Sequence, residues 1–290
     1  MPDGTVRHDA PDPAANRVRE GVQPGSLRFL AALFSGSTQR SSLEAVYAFE
    51  AEVRRIVASA SHDAAHARLQ WWRGELDRLA AGRPSHPIAQ ALLPLRGRRD
   101  VDLGLLHELL VAADLDLARM TYVSWQELDA YLFRSAGTAQ TLIAATLAGD
   151  RGLTQAEREF ARRLGATVRQ TEMLFNLEHD RSRGRMYAPL QALESAGIDP
   201  TAFQRTSSDT AATAFVAGWQ ARLRRELESL PDILGEPSLR SAQRHGLVLA
   251  ALHARWLDIL PAPAATADRR TELGPLTRLW TAWRTALRHG

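Results

Sequence analysis

The chain of 290 residues contains no cysteine. That excludes disulfides, thiolate catalysis and cysteine zinc sites, and it fits a reducing compartment. It also contains no lysine, so all 36 basic residues are arginine. A Walker-type P-loop and Schiff-base chemistry both need a lysine amine, so neither is available. Arginine suits forked binding of phosphate and carboxylate. No apolar run approaches the roughly 18–20 residues of a membrane span. The net charge is only +3 and no long basic run occurs, which argues against nucleic-acid binding. Strand alternation and Asn-Gly hairpins are absent. The nine histidines include no H-E-x-x-H motif, and His179, beside Asp180, is the one next to a candidate site.

What is present is helical spacing from about residue 26 onward. In 40–59, Val46, Phe49, Val53 and Val57 fall on one stripe. Residues 65–81 repeat that pattern and stop at Gly82-Arg83-Pro84. Ser124 with Glu127, and Thr154 with Glu157, carry capping-box spacing. The first pair predicts one long helix to about 148, the second a helix running toward Asp180. Residues 1–24 read as a flexible tail, and 25–290 as one all-α domain of about ten helices. "PAPAATAD", 261–268, reads as a loop. The adjacent Trp71 and Trp72 cannot both face a core. The last helix has an apolar face of Leu276, Leu279, Trp280, Trp283 and Leu287 with arginines off it. That face either packs on the bundle or lies at a membrane interface.

Three segments, "RSSLEAVYAFEAEV", "RLQWWRGELDRLAAGRPSHPIAQAL" and "EHDRSRGRMYAPLQALESAGI", stand in an order that resembles the squalene/phytoene synthase family. The resemblance implies an all-α bundle around a central cavity. It also implies that active members join two prenyl diphosphates head to head, with two aspartate motifs holding Mg²⁺. Ionising an allylic diphosphate builds charge on the leaving oxygens, and Mg²⁺ offsets it.

This chain departs from that pattern. The expected D-D-x-x-D falls on Arg54, Arg55, Ile56, Val57 and Ala58. Tyr47, Ala51, Arg54 and Ala58 share the flank expected to face the cavity, with Glu50 and Glu52 read on other faces. The second motif falls on Asn176 to Asp180, and only Asp180 keeps its carboxylate. Glu172, Asn176 and Asp180 have i, i+4, i+8 spacing, which makes Glu172 and Asp180 weak metal candidates. Arg40, Tyr47, Arg54, Arg183, Arg185 and Tyr187 are candidate phosphate or ligand contacts. The Arg183–Pro189 segment reads equally as a structural turn.

"AFEAEV" and "RLQWWR" resemble a divergent branch of the family that includes a mitochondrial complex I assembly factor. The expectation is a non-catalytic member, with no cofactor, binding an isoprenoid diphosphate, a lipid or a partner such as a respiratory complex. Its expected location is the cytoplasm, peripheral to the inner face of the membrane. The alternative is an active prenyltransferase using Mg²⁺. Arg54 decides between them, because a cavity-facing guanidinium must find an anion: Glu172 or Asp180, or an external phosphate.

Overall fold

The computed structural model describes residues 18, 21–59, 61–205, 210–260 and 272–290. Among them every regular element is helical. Ser26 opens α1 (Leu27–Ala32) by accepting from the Phe29 amide. α2 (Ser37–Val57) follows, and its expected stripe of Val46, Phe49, Val53 and Val57 is buried. Leu43, Ala45, Tyr47 and Ile56 are buried too, so α2 is enclosed on most sides. Ser61 caps α3 (His62–Ala80), and Pro87 starts α4 (Pro87–Leu92) at a position that needs no amide hydrogen. α5 (Leu106–Leu117) completes the layer around α2.

Ser124 caps α6 (Trp125–Leu132), but the helix does not continue regularly to 148. A π-helical turn at Phe133–Gly137 separates it from α7 (Thr138–Ala148). Such turns shift the register and re-aim side chains. α8 (Gln155–Phe175) begins with the expected capping box at Thr154 and Glu157. Glu157 is fully buried and also receives Arg151 at 2.8 and 2.5 Å and Gln243 at 2.7 Å. α8 stops at Asn176, whose backbone (φ −97°, ψ 10°) leaves the helical range. The Asn176 side chain donates to the Glu172 carbonyl at 2.8 Å and closes the end. A new short helix, α9 (Leu177–Ser182), follows, its Asp180 amide donating to the Asn176 carbonyl at 2.8 Å. The expected stripe of Glu172, Asn176 and Asp180 is thus interrupted at Asn176, with Glu172 on α8 and Asp180 on α9.

α10 (Leu190–Ser195), α11 (Pro200–Arg205), α12 (Thr210–Leu234), α13 (Pro237–Ala242), α14 (Arg244–Leu257) and α15 (Pro275–Arg288) complete the chain. α2 packs on α4, α5 and α7, while α8 packs on the π turn, α7 and α12. Two apolar clusters result, one around α2 and one around α8, α12 and α14, with Phe29 touching both. Val22 is buried and Gly21 lies against the Ala48 backbone, so the packed body starts before residue 25. Most of the tail expected over 1–24, and the 261–268 loop, lie outside the described residues. Trp72 is core, whereas Trp71 is about half exposed, beside His86 and Arg78.

The terminal helix contradicts bundle packing through its large apolar side chains. α15 buries the small Ala282 and Ala286 and turns Leu276, Leu279, Trp280, Trp283 and Leu287 outward.

Gly165 on α8 lets it cross the π turn closely. A Cβ there would lie 2.3 Å from the Ala136 carbonyl oxygen, an impossible contact. Gly165→Ala should destabilise the fold by about 1–3 kcal/mol through overpacking. Gly218→Ala on α12, where no atom lies within 4 Å, should stabilise by about 0.5–1 kcal/mol through helix propensity. Urea unfolding of the two variants tests this, and a Gly165→Ala protein as stable as the parent would refute the close crossing.

Candidate functional site

Arg54 projects from α2 toward α8 and donates to Glu172 Oε2 at 2.7 Å. Its other terminal nitrogen donates to Glu50 Oε1 at 2.6 Å. Arg28, from α1, reaches Glu172 Oε1 at 2.8 Å and lies 3.5 Å from Glu50. Arg169 lies 3.6 Å from Glu172. Two carboxylates and three guanidiniums thus tie α1, α2 and α8 together. Burial alone pushes the Glu172 carboxyl up, yet Arg28, Arg54 and Arg169 outweigh it and hold it well below the ordinary 4.5. Of the two internal anions open to Arg54, the protein uses Glu172.

Glu50 corrects the sequence reading. It was placed on another face, but it stands one helical turn before Arg54 and shares its flank, as i, i+4 spacing requires. Glu52 does point elsewhere, pairing with Arg55 and, at 2.6 Å, with Arg68 on α3. Arg55 thus belongs to the α2–α3 contact and not to the cavity.

The interior volume is divided. One cavity of about 260 Å³ is bounded by α2, α5, the π turn, α8, α9 and the segment 183–187. Its walls include Glu50, Arg54, Ala58, Asp116, Arg169, Asp180, Arg183, Arg185 and Tyr187. A second cavity of about 410 Å³ lies between the 21–28 segment, α14 and the start of α15, and it includes Arg28, Glu172, His253 and Trp256. Arg54 and Asn176 line both. His253 is buried, and burial pushes its imidazole down to about 4 despite Glu172.

In the first cavity Asp116 accepts from Tyr131 at 2.9 Å and from Tyr187 at 2.9 Å. Burial and this carboxylate push both phenols up, so they stay protonated donors. Asp180 has no side-chain partner within hydrogen-bond reach among the described residues. Burial raises its carboxyl although Arg169 and Arg185 lower it. Arg185 donates to the Val57 carbonyl at 2.9 Å and so covers the end of α2. Arg183 is exposed at the rim. His179 lies there as well.

Two expected ligand contacts lie elsewhere. Arg40 donates to the Ala32 and Leu33 carbonyls at 3.2 and 2.9 Å and terminates α1. Tyr47 is core; its hydroxyl accepts from Gln140 at 3.1 Å and lies 2.8 Å from His245 Nε2. Arg28, Asp116 and Tyr131 were not found from sequence. None carries local spacing to the motifs, since each arrives through tertiary packing.

A divalent metal does not fit this donor set. Both Glu172 oxygens and one Glu50 oxygen are occupied by guanidiniums, and Asn176 Nδ2 is committed to the Glu172 carbonyl. Among the described residues no group of three or more His, Asp or Glu side chains converges as metal ligands.

The bundle is that of an isoprenoid-synthase-like all-α protein. It resembles a dehydrosqualene synthase crystallised with a ligand (TM-score 0.76, 16% identity, 95% of each chain). It also resembles the squalene synthase HpnC of Alicyclobacillus acidocaldarius (TM-score 0.59, 19% identity, 84% of this chain and 93% of that one). The sequence profile of the squalene/phytoene synthase family matches residues 23–277, and the chain belongs to that family. Among curated relatives, 15-cis-phytoene synthase of Synechocystis is 31% identical over 135 residues, 43% of this chain and 40% of that protein. The bifunctional protein CrtB/UppS of Streptomyces coelicolor is 30% identical over 243 residues, 80% of this chain and 43% of that one. The chain thus spans under half the length of these curated relatives.

Glu172→Gln would leave Arg28, Arg54 and Arg169 around one remaining carboxylate. We expect a loss of roughly 2–3 kcal/mol, less than for a fully enclosed pair because water reaches the guanidiniums. Arg54→Ala should cost about 1 kcal/mol, since Arg28 and Arg169 still face Glu172. The pH dependence has a definite sign. Glu172 titrates lower in the folded state, so its contribution is complete above 4.5 and fades as pH falls below it. His245 and His253, buried and held to about 4, take up protons first in the unfolded chain, so stability already declines from 6.5 downward. Urea unfolding from pH 7 to 3 should show both phases, with the lower one reduced but not abolished in Glu172→Gln, because Glu157 is also held low, to about 2, by Arg151 despite its burial. A variant that keeps the lower phase unchanged would count against the network.

Proposed function

We propose that the chain keeps the family fold and binds an isoprenoid or lipid phosphate without metal-assisted ionisation of an allylic diphosphate. The observation supporting it is Arg54, held between Glu50 and Glu172 at 2.6 and 2.7 Å. The family resemblance expects a metal-binding aspartate at this residue, and here a guanidinium paired with two carboxylates stands instead. Arg183 and Arg185 supply the phosphate end. Arg183 has no carboxylate partner among the described residues, and Arg185 uses one terminal nitrogen on Val57, leaving donors for a ligand oxygen. The protein then acts through what it holds, as a carrier or an assembly component. No described surface selects a respiratory-complex partner.

An active head-to-head prenyltransferase is the second reading. Asp180 facing the cavity favours it, as do relatives named phytoene synthases. Calorimetric titration with farnesyl and geranylgeranyl diphosphate, with and without Mg²⁺, separates the two when run beside a pyrophosphate-release assay. We expect saturable binding that Mg²⁺ does not strengthen, weakened by Arg183→Ala with Arg185→Ala, and no release. Mg²⁺-dependent release at about 1 s⁻¹ or faster would establish the second reading instead.

A further inference from the structure

The outward face of α15 has no counterpart elsewhere on the described surface. Nine large apolar side chains are exposed, and five of them stand on this one helix. Leu276 is 82% exposed and Trp280 59% exposed. Trp280 and Trp283 lie 5.1 Å apart and form a continuous aromatic surface. Scattered apolar residues are ordinary, but a contiguous patch of this kind covers or is covered by something.

The chemistry beside the patch identifies the partner. Residues 275–290 contain four arginines or histidines in positions 278, 284, 288 and 289 and no carboxylate. At 100° per residue, Arg284 and Arg288 run along one edge of the apolar face, and both are exposed. The opposite edge is Ala282 and Ala286, which dock the helix on the bundle. A second copy set face to face, antiparallel or parallel, would meet the arginine edge with a helix that carries no carboxylate to neutralise it. A bilayer with anionic headgroups matches both parts. Its acyl boundary takes the Leu and Trp side chains, and its phosphates take the guanidiniums. The start of the helix also borders the larger cavity through Arg278, which is anchored to the Gly25 carbonyl at 2.8 Å.

We propose that α15 is an interfacial helix that docks the protein on an anionic lipid bilayer. It lies in the plane of the headgroups. No helix among the described residues is long and apolar enough to cross a membrane. This inference does not depend on what the cavities bind.

Vesicle co-flotation of the full chain tests it, with tryptophan fluorescence as a second readout. The probes are vesicles of mixed phosphatidylglycerol and phosphatidylcholine, and vesicles of phosphatidylcholine alone. Binding should favour the anionic vesicles, with a blue-shifted emission, and should weaken with salt. Leu279→Glu with Trp283→Glu should lower partitioning by tenfold or more, on the order expected for lost apolar burial. Arg284→Gln with Arg288→Gln should lower it roughly thirtyfold on anionic vesicles only. All four side chains are exposed, so melting temperatures should stay near the parent value, which separates lost docking from lost folding. No flotation with anionic vesicles, equal flotation with both kinds, or a dimer that Trp283→Glu dissolves would each overturn the proposal.

Discussion

A guanidinium taken out of water keeps its proton, so every interior arginine must be matched by an anion or left facing solvent. In a chain whose only strong cation is arginine, that rule organises the interior. Arg54 sits on a helix enclosed on most sides, and its charge is met by Glu50 from the same helix and Glu172 from the opposite one. Arg28 doubles the match from α1. The same rule operates at Glu157 with Arg151, and at Glu52 with Arg55 and Arg68. Each buried carboxylate in these groups faces at least one guanidinium, and the helices that carry them are fixed relative to one another as a result.

The consequence for the site is a change in how two helices are held. In the family chemistry that the resemblance implies, carboxylates on facing helices meet through metal ions and therefore depend on metal and diphosphate. Here the cross-link is an ion pair between two of the chain's own side chains, Arg54 and Glu172. Membership in the squalene/phytoene synthase family fixes the scaffold, while the chemistry of the site rests on the side chains this chain places there. The Asn176 break adds to this. Glu172, before it, meets Arg28 of α1 and Arg54 of α2, and Asp180, after it, lines the cavity with Tyr187 and Arg185.

Helix positions were readable in the sequence because local signals set them. Ser124 and Thr154 cap where a hydroxyl precedes an apolar periodic run. Arg54 meeting Glu172 was readable as one of a few options, since few anions could face it. Three features were not. Arg28 comes from a distant segment with no spacing to betray it. The π turn at 133–137 depends on Gly165, a residue on another helix. The direction of α15 was open because an apolar stripe shows only that a face exists; the small Ala282 and Ala286 beside it decided which side approaches the bundle.

The two cavities share Arg54 and Asn176 as a common wall. The partition is held by the ion pairs of Arg54 with Glu50 and Glu172 and not by apolar packing, so joining the two cavities for a longer tenant means unpairing a buried carboxylate.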